Sequence, residues 1–409
     1  MPKRTLLVTG LVYLSIFLNF FLVGTIIPLI PRLADARGIS SIEASLILSV
    51  KSFTHMAVSP ILALMASRWK AVELFSFGQL SLAGAYMGCA FSTSLGGFLA
   101  SRIAQGIGIA SIMVAGMSLL VESVPKEKRG RYIAFAYSGL AHASLVAPVL
   151  SAVMYEGLGQ VWTFLIPGIV TLVIAAATIL VLHRLKVDTA TDPVVEHAHL
   201  DRSLIIPILK SIFSLSLGYL TYLGIFACGF AFGSIEASIP RFMVDIYFSV
   251  LTSNLLWSAG ALTFAIFAPI IGLFIDKFHP SLFLISSMLS YVVFGPLIHF
   301  LPASVGGLAG TITVSFFIQA LAEISIYPLA TCLVETASDL IKTLPQSVNI
   351  VGFCLVEMFV QAGFAVGNII GKILYEWNGL YGVGIGIASI PAGSILISLL
   401  IHLILSHRR

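Results

Sequence analysis

Twelve stretches of this sequence are continuously apolar and long enough to cross the hydrocarbon of a bilayer, which takes about 20 residues of helix. They run over Leu6–Ile27, Ala44–Met65, Leu74–Ser92, Gly96–Val121, Ile133–Tyr155 and Val161–Leu182. After a polar segment from His183 to Lys210 come Ile212–Ile235, Leu251–Ile275, Leu282–Leu301, Leu308–Val334, Val348–Ile370 and Gly382–Leu405. Membrane strands would read as alternating segments of about ten residues. Runs this continuous require helices, which satisfy their own backbone groups inside lipid. The expectation is an all-α membrane protein, with residues 1–185 and 211–409 as two six-helix bundles and 186–210 as a linker.

Composition agrees, since hydrophobic residues make up 58% of the chain and charged residues only 10%, against roughly 25% charged in soluble domains. The first run follows Met1–Arg4 directly and has no small-residue cleavage site, so it is expected to stay as the first helix. Cys89, Cys228, Cys332 and Cys354 fall inside apolar runs without metal-ligand spacing and read as small buried side chains. His183, His197 and His199 are the one group near a metal pattern, and a solvated linker is the simpler reading. No nucleophile–base set, phosphate loop or metal constellation is present, so the chain does not read as an enzyme. No cofactor and no nucleic-acid partner is expected.

Lys and Arg are distributed unevenly between the loops. Lys3, Arg4, Arg68, Lys70, Lys126, Lys128, Arg129, Arg131, Arg184, Lys186, Arg202, Lys210, Lys277, Lys342, Arg408 and Arg409 fall on one side of a twelve-helix chain. Arg32, Arg37, Arg241 and Lys372 fall chiefly on the other. The positive-inside tendency then predicts that both termini and the linker are cytoplasmic.

The halves also repeat. Ser59–Lys70 (SPILALMASRWK) aligns with Ala268–His279 (APIIGLFIDKFH), and at the same offset Ile30-Pro31-Arg32 aligns with Ile239-Pro240-Arg241. The ends of the fifth and eleventh runs, VMYEGLG and ILYEWNG, correspond at a somewhat larger offset. Two parallel six-helix repeats joined by a cytoplasmic linker resemble the major facilitator architecture. That resemblance implies a substrate site between the halves near the membrane midplane.

Few ionisable groups lie deep in the runs: chiefly Lys51 and Arg102 in the first half, and Glu236, Glu323 and Glu357 in the second. A charge at the centre of a spanning helix costs about 2.5–3.5 kcal/mol on insertion scales and is a functional candidate by default. A Lys and a Glu that meet can both stay ionised, which makes Lys51 with Glu357 the leading pair. The alternative is two charges that each face water and never meet. The pair is expected to respond to a charge swap: Lys51→Glu or Glu357→Lys alone abolishes uptake into proteoliposomes, and the double change restores part of it. Glu236 and Glu323 lack a second deep lysine, so each is expected to carry a proton in one state and a cation in another. Either could instead simply hydrogen-bond a neighbouring helix.

Several shorter motifs resemble those of major facilitator proteins. SRIAQGIGIA carries Arg102, Gln105 and Gly106 in the pattern of the fourth helix, with Arg102 and Gln105 on one face. Gly272, Asp276 and Lys277 resemble the cytoplasmic gate loop of a half, and Ser67 stands where the first copy would have Asp. Pro148 in LVAPVLSAVMYEG resembles the fifth-helix motif of exporters and antiporters, with Ala147 in place of the usual Gly.

From Ser45 to Glu156 and from Gly229 to Gly371 the chain further resembles the vesicular amine transporters, the family of monoamine and acetylcholine carriers. LILSVKSFTHMAVSPILALMASR, RIAQGIGIASIMVAGMSLLVESVPKEKRG, GSIEASIPRFM, AEISIYPLATCLVE and LVEMFVQAGFAVG carry the likeness. It implies that Lys51 and Glu357 form a charge pair, that Glu323 takes part in proton coupling and that Glu236 lies near substrate. Asn19 stands at the position of the family's first-helix aspartate and supplies no charge. Glu replaces Asp at 323 and 357, and no Asn-x-Ser/Thr sequon or long loop follows the first helix. Tyr13, Phe20, Tyr222, Tyr327 and Phe364 are candidates for lining a cation site.

The expected function is proton-coupled antiport of a small organic cation or amine out of the cytoplasm by alternating access. The expected carrier is a monomer driven by a proton gradient, in a vesicle or vacuole membrane or in the plasma membrane. The alternatives are a carrier of a neutral or drug-like solute whose carboxylates serve protons only, and a transport-dead receptor or scaffold.

Overall fold

The computed structural model describes residues 3–65, 71–124, 129–184, 210–275, 277–300, 304–340 and 349–406. All of the regular structure in these residues is helical. The helices are α1 (Lys3–Asp35), α2 (Ser41–Met65), α3 (Ala71–Phe91), α4 (Leu95–Ser123), α7 (Ser216–Asp245), α8 (Val250–Ile275), α9 (Pro280–Leu297) and α10 (Val305–Leu340), with a 3₁₀ turn at Ile298–Phe300. Two further helical stretches, Arg129–Arg184 and Asn349–Ser406, are 56 and 58 residues long. A straight helix of that length would run more than 80 Å, against about 30 Å of hydrocarbon. Each is broken near its middle.

The first breaks at Gly159, with φ 75° and ψ −178°. The second breaks at Asn378 and Gly379, the latter at φ 57° and ψ −148°. Only glycine adopts positive φ cheaply, and a glycine stands at each break. The breaks divide the stretches into α5 (129–158) and α6 (160–184), and α11 (349–377) and α12 (380–406). Twelve long helical segments result among the described residues, and the breaks fall in the gaps between the fifth and sixth and between the eleventh and twelfth apolar runs.

The chain divides into two compact units. One comprises Met1–Val195 with Pro240–Leu262, and the other comprises Glu196–Ile239 with Thr263–Arg409. Both α7 and α8 therefore contribute to both units. The linker at 186–209 lies outside the described residues.

In the first unit α1 packs on α5, α3 on α4, and α2 on α4. Large apolar side chains such as Phe91, Val173 and Leu180 point outward, as expected where lipid is the solvent and burial of apolar area cannot drive association. Close packing and polar contacts between helices take its place. The Gln79 amide donates to Ser15 Oγ at 2.8 Å and to Thr178 Oγ1 at 3.0 Å, joining α3 to α1 and α6. Tyr86 donates to the Leu18 carbonyl at 2.6 Å.

In the second unit the tightest seam is between α7 and α11. A Cβ added to Gly363 would meet the Phe226 carbonyl oxygen at 2.3 Å, and one added to Gly367 would meet the Phe230 oxygen at 2.2 Å. Opposite them, a Cβ on Gly229 or Gly233 would meet the Val360 oxygen at 2.8 Å or the Phe364 oxygen at 2.7 Å. This is small-residue packing at a spacing of four on both helices, a membrane-helix contact mode. Ser234 and Ser238 reinforce it, donating to the carbonyls of Gly367 and Gly371 at 3.2 Å each.

Candidate functional site

In the first unit the polar centre is Arg102 on α4, 2% exposed. Its Nε donates to the Ile47 carbonyl at 3.0 Å, one terminal nitrogen donates to the Leu48 carbonyl at 3.4 Å, and the other donates to Gln105 Oε1. Ile47 stands four residues before Lys51, so the guanidinium grips the turn of α2 that carries the lysine. Gly106 completes the grip, because a Cβ there would meet the Lys51 carbonyl oxygen at 2.6 Å and Thr54 Cβ at 2.7 Å. The motif predicted from SRIAQG thus has a concrete task here. It seats the backbone of Lys51 directly on α4.

Amide directions follow from the guanidinium, which can only donate. Gln105 must present its oxygen to Arg102, so its nitrogen faces α1, where it donates to Asn19 Oδ1 at 3.2 Å and to the Asn19 carbonyl at 3.3 Å. Asn19 therefore has its acceptor engaged and its Nδ2 donor left over. It is fully buried, and no described group accepts from that nitrogen. Lys51 itself is half-buried. One turn beyond it, on the same face, His55 is 3% exposed.

In the second unit Glu236 lies on α7, Glu323 on α10 and Glu357 on α11, and each is half-buried. Glu323 Oε1 accepts from Gln319 Nε2 at 3.0 Å, and Gln319 Oε1 accepts from the Tyr291 hydroxyl of α9 at 3.1 Å. Tyr291 is fully buried and Gln319 is 4% exposed. Tyr291 is also within electrostatic range of Glu236 and Cys228 on α7. The Cys228 sulfur approaches Ser287 Oγ of α9 at 3.5 Å, and Ser287 donates to the Ile318 carbonyl of α10 at 2.9 Å.

An aromatic cluster joins the three helices that carry the carboxylates. Phe232 of α7 meets Phe316 of α10 edge-on with centroids 5.0 Å apart, and Phe364 of α11 at 6.0 Å. Lower on the same helices Tyr222 packs on Phe359 at 5.2 Å. Such rings can attract a cation with their faces.

The remaining predicted positions are dispersed. The Pro148 carbonyl accepts from Asn254 Nδ2 at 2.5 Å. A Cβ on Gly272 would meet nothing within 4 Å, Lys277 is exposed beyond the end of α8, and Asp276 lies outside the described residues. At the ends of α1 and α7, Arg241 pairs with Asp35 at 2.6 Å and with Asp245 at 3.0 Å, while Arg32 donates to the Phe248 carbonyl. Among the described residues no cluster of His, Cys, Asp and Glu could hold a metal ion. Tyr291, Gln319 and His55 escaped the sequence reading. Only the spacing of four from Glu323 to Gln319 and from Lys51 to His55 could have pointed to two of them.

Solved structures share this architecture. A bacterial homolog of the human lysosomal transporter Spinster, inward-facing and occupied, superposes with a TM-score of 0.72 over 100% of this chain and 97% of its own, at 14% identity. A POT family transporter in complex with a thioalcohol-conjugated peptide gives 0.70 over 98% and 96%, also at 14%. These likenesses establish the fold. Among sequences, the uncharacterized MFS-type transporter C18.02 of Schizosaccharomyces pombe is 26% identical over 163 residues, 38% of this chain and 36% of that protein. The putative multidrug resistance protein MdtD of Yersinia pseudotuberculosis is 27% identical over 167 residues, 39% of this chain and 34% of its own. The match thus spans about a third of the length of either relative. The family model described as Major Facilitator Superfamily matches residues 12–352. With most of its length under that match, the chain belongs to the Major Facilitator Superfamily.

Proposed function

We propose that this transporter exchanges protons for a small organic cation or amine, moving it out of the cytoplasm. The observation that carries the reading is the set of three half-buried carboxylates, Glu236, Glu323 and Glu357, on spanning helices that meet around Phe232, Phe316 and Phe364. A carboxylate at such depth is retained at a cost of kilocalories, and proton relays and ion pathways are where such groups occur. Glu236 and Glu323 take the cation from the cytosolic side in their charged form and release it when protons arrive from the acidic side. The likeness of LVEMFVQAGFAVG and AEISIYPLATCLVE to the vesicular amine transporters supports the amine, and with it an acidic vesicle or vacuole as the compartment; the plasma membrane is the alternative.

A second reading is favoured by Asn19. Its unpartnered group is a donor, which suits a carbonyl or hydroxyl oxygen on the substrate, and it supplies no charge to an ammonium. A neutral, drug-like solute, with the carboxylates serving protons alone, fits that chemistry. The name of the Yersinia relative leans the same way.

Proton-gradient-driven uptake into proteoliposomes, with a panel of amines, polyamines and neutral drugs, separates the two. The proposal expects uptake of a cation that collapses when the gradient is dissipated and falls at least tenfold in Glu323→Gln. Uptake of neutral compounds alone, with the same dependence on Glu323, establishes the second reading. Gradient-independent uptake that is unchanged in Glu323→Gln overturns both.

A further inference from the structure

Gln319 and Glu323 stand one turn apart on α10, and the amide between them and Tyr291 has only one orientation that satisfies every atom. A charged carboxylate can only accept, so the Gln319 nitrogen must face Glu323. Its oxygen then faces Tyr291, whose hydroxyl donates to it at 3.1 Å. Each of the two atoms of the Gln319 amide is thereby used, in a place where a free amide would be expensive. Tyr291 has no water to turn to, being fully buried against α10. We propose that Tyr291 and Gln319 are positioning residues for Glu323, holding its carboxylate in the acceptor-only, charged form, so that proton uptake there requires the tyrosine-fixed amide to let go or turn over.

The inference rests on the proposal that Glu323 carries the transported proton. It adds a device, namely that a residue on α9 without acid–base work of its own sets when α10 can be protonated. Turnover of the amide would present the Gln319 oxygen to a protonated Glu323 and its nitrogen to the Tyr291 oxygen, reversing both hydrogen bonds without moving a backbone. A phenol can act as donor or acceptor, so the same three residues serve both protonation states. Phenylalanine cannot take either part. The titratable groups within electrostatic range of Tyr291 on α9 are Glu323 itself on α10 and Cys228 and Glu236 on α7. Glu236 is the one whose own titration would blur the effect. Its variant belongs in the test.

The experiment is an infrared pH titration of the purified protein in lipid, following the carboxylic-acid C=O band that disappears in Glu323→Gln, with Glu236→Gln as background. It needs no knowledge of the substrate. Both Tyr291→Phe, which keeps the ring, and Gln319→Met, which keeps the length, are expected to move the midpoint of that band toward alkaline pH by about one unit: the methionine loses the hydrogen bond to the charged carboxylate itself, and the phenylalanine frees the amide to turn its oxygen to the protonated acid. Thermal unfolding is read alongside to exclude a general loosening. An unmoved midpoint in both variants, with the band still assigned to Glu323, overturns this inference and leaves the proton-carrying role intact. If no titrating band is lost in Glu323→Gln, the role of Glu323 as proton carrier falls, and this inference with it.

Discussion

Arg102→Lys is expected to lower transport at least tenfold and to lower the unfolding temperature by several degrees, although the charge is kept. The guanidinium reaches three acceptors at once: the carbonyls of Ile47 and Leu48 on α2 and the Gln105 amide oxygen on its own helix. A lysine has one nitrogen on a flexible stem and cannot span that fork. Each hydrogen bond to a charged group contributes about 1.5–3 kcal/mol, and a buried group left unmade costs about 1–3 kcal/mol. Losing two contacts is therefore worth about 3 kcal/mol or more, a large part of any protein's margin. The effect on transport is expected to exceed the effect on stability, because the released turn is the one that holds Lys51. Uptake at equal protein density, set beside a thermal melt of the purified protein, separates the two. Equal activity in the lysine variant would mean that the grip on α2 plays no part in the cycle.

Gly367→Leu is expected to abolish folding, whereas Gly310→Ala, on α10 and facing open space, is expected to be neutral or slightly stabilising. The first added Cβ alone would sit 2.2 Å from the Phe230 oxygen, and that obstacle is backbone and cannot rotate aside. Overpacking usually costs about 1–3 kcal/mol when side chains can give way. Here two helices would have to separate along a seam that also holds Gly229, Gly233 and Gly363, so the cost lies above that range. At Gly310 nothing lies within 4 Å, and removing a mid-helix glycine gains about 0.5–1 kcal/mol. The yield of monodisperse protein after extraction, compared across the two variants, reads the difference. A monodisperse Gly367→Leu protein would show that the seam is not essential to the fold.

The helices were legible because lipid imposes a length and a polarity on every crossing. Even the reversals at Gly159 and Gly379 fall in gaps between apolar runs, where a chain too long for the bilayer has to turn. The carboxylates at 236, 323 and 357 were legible for the same reason, since a charge in an apolar run stands out. Tyr291 and Gln319 did not stand out. Tyrosine and glutamine are ordinary in such helices, and their partnership depends on two helices meeting with the right rotation, at residues 28 apart in the chain. Asn19 was legible as a polar side chain, but the direction of its amide was not. That direction is set by Arg102 through Gln105, a chain of logic that begins 83 residues away.

The glycine seam of α7 and α11 has a mechanical consequence. Glu236 and Glu357 sit on different helices, yet those helices approach backbone to backbone where Phe226 and Phe230 face Gly363 and Gly367. They behave as a single strut carrying a carboxylate on each member. A displacement of one helix then has to carry the other with it along that seam. Communication between these two acids then needs no relay of side chains, because they are parts of one lever.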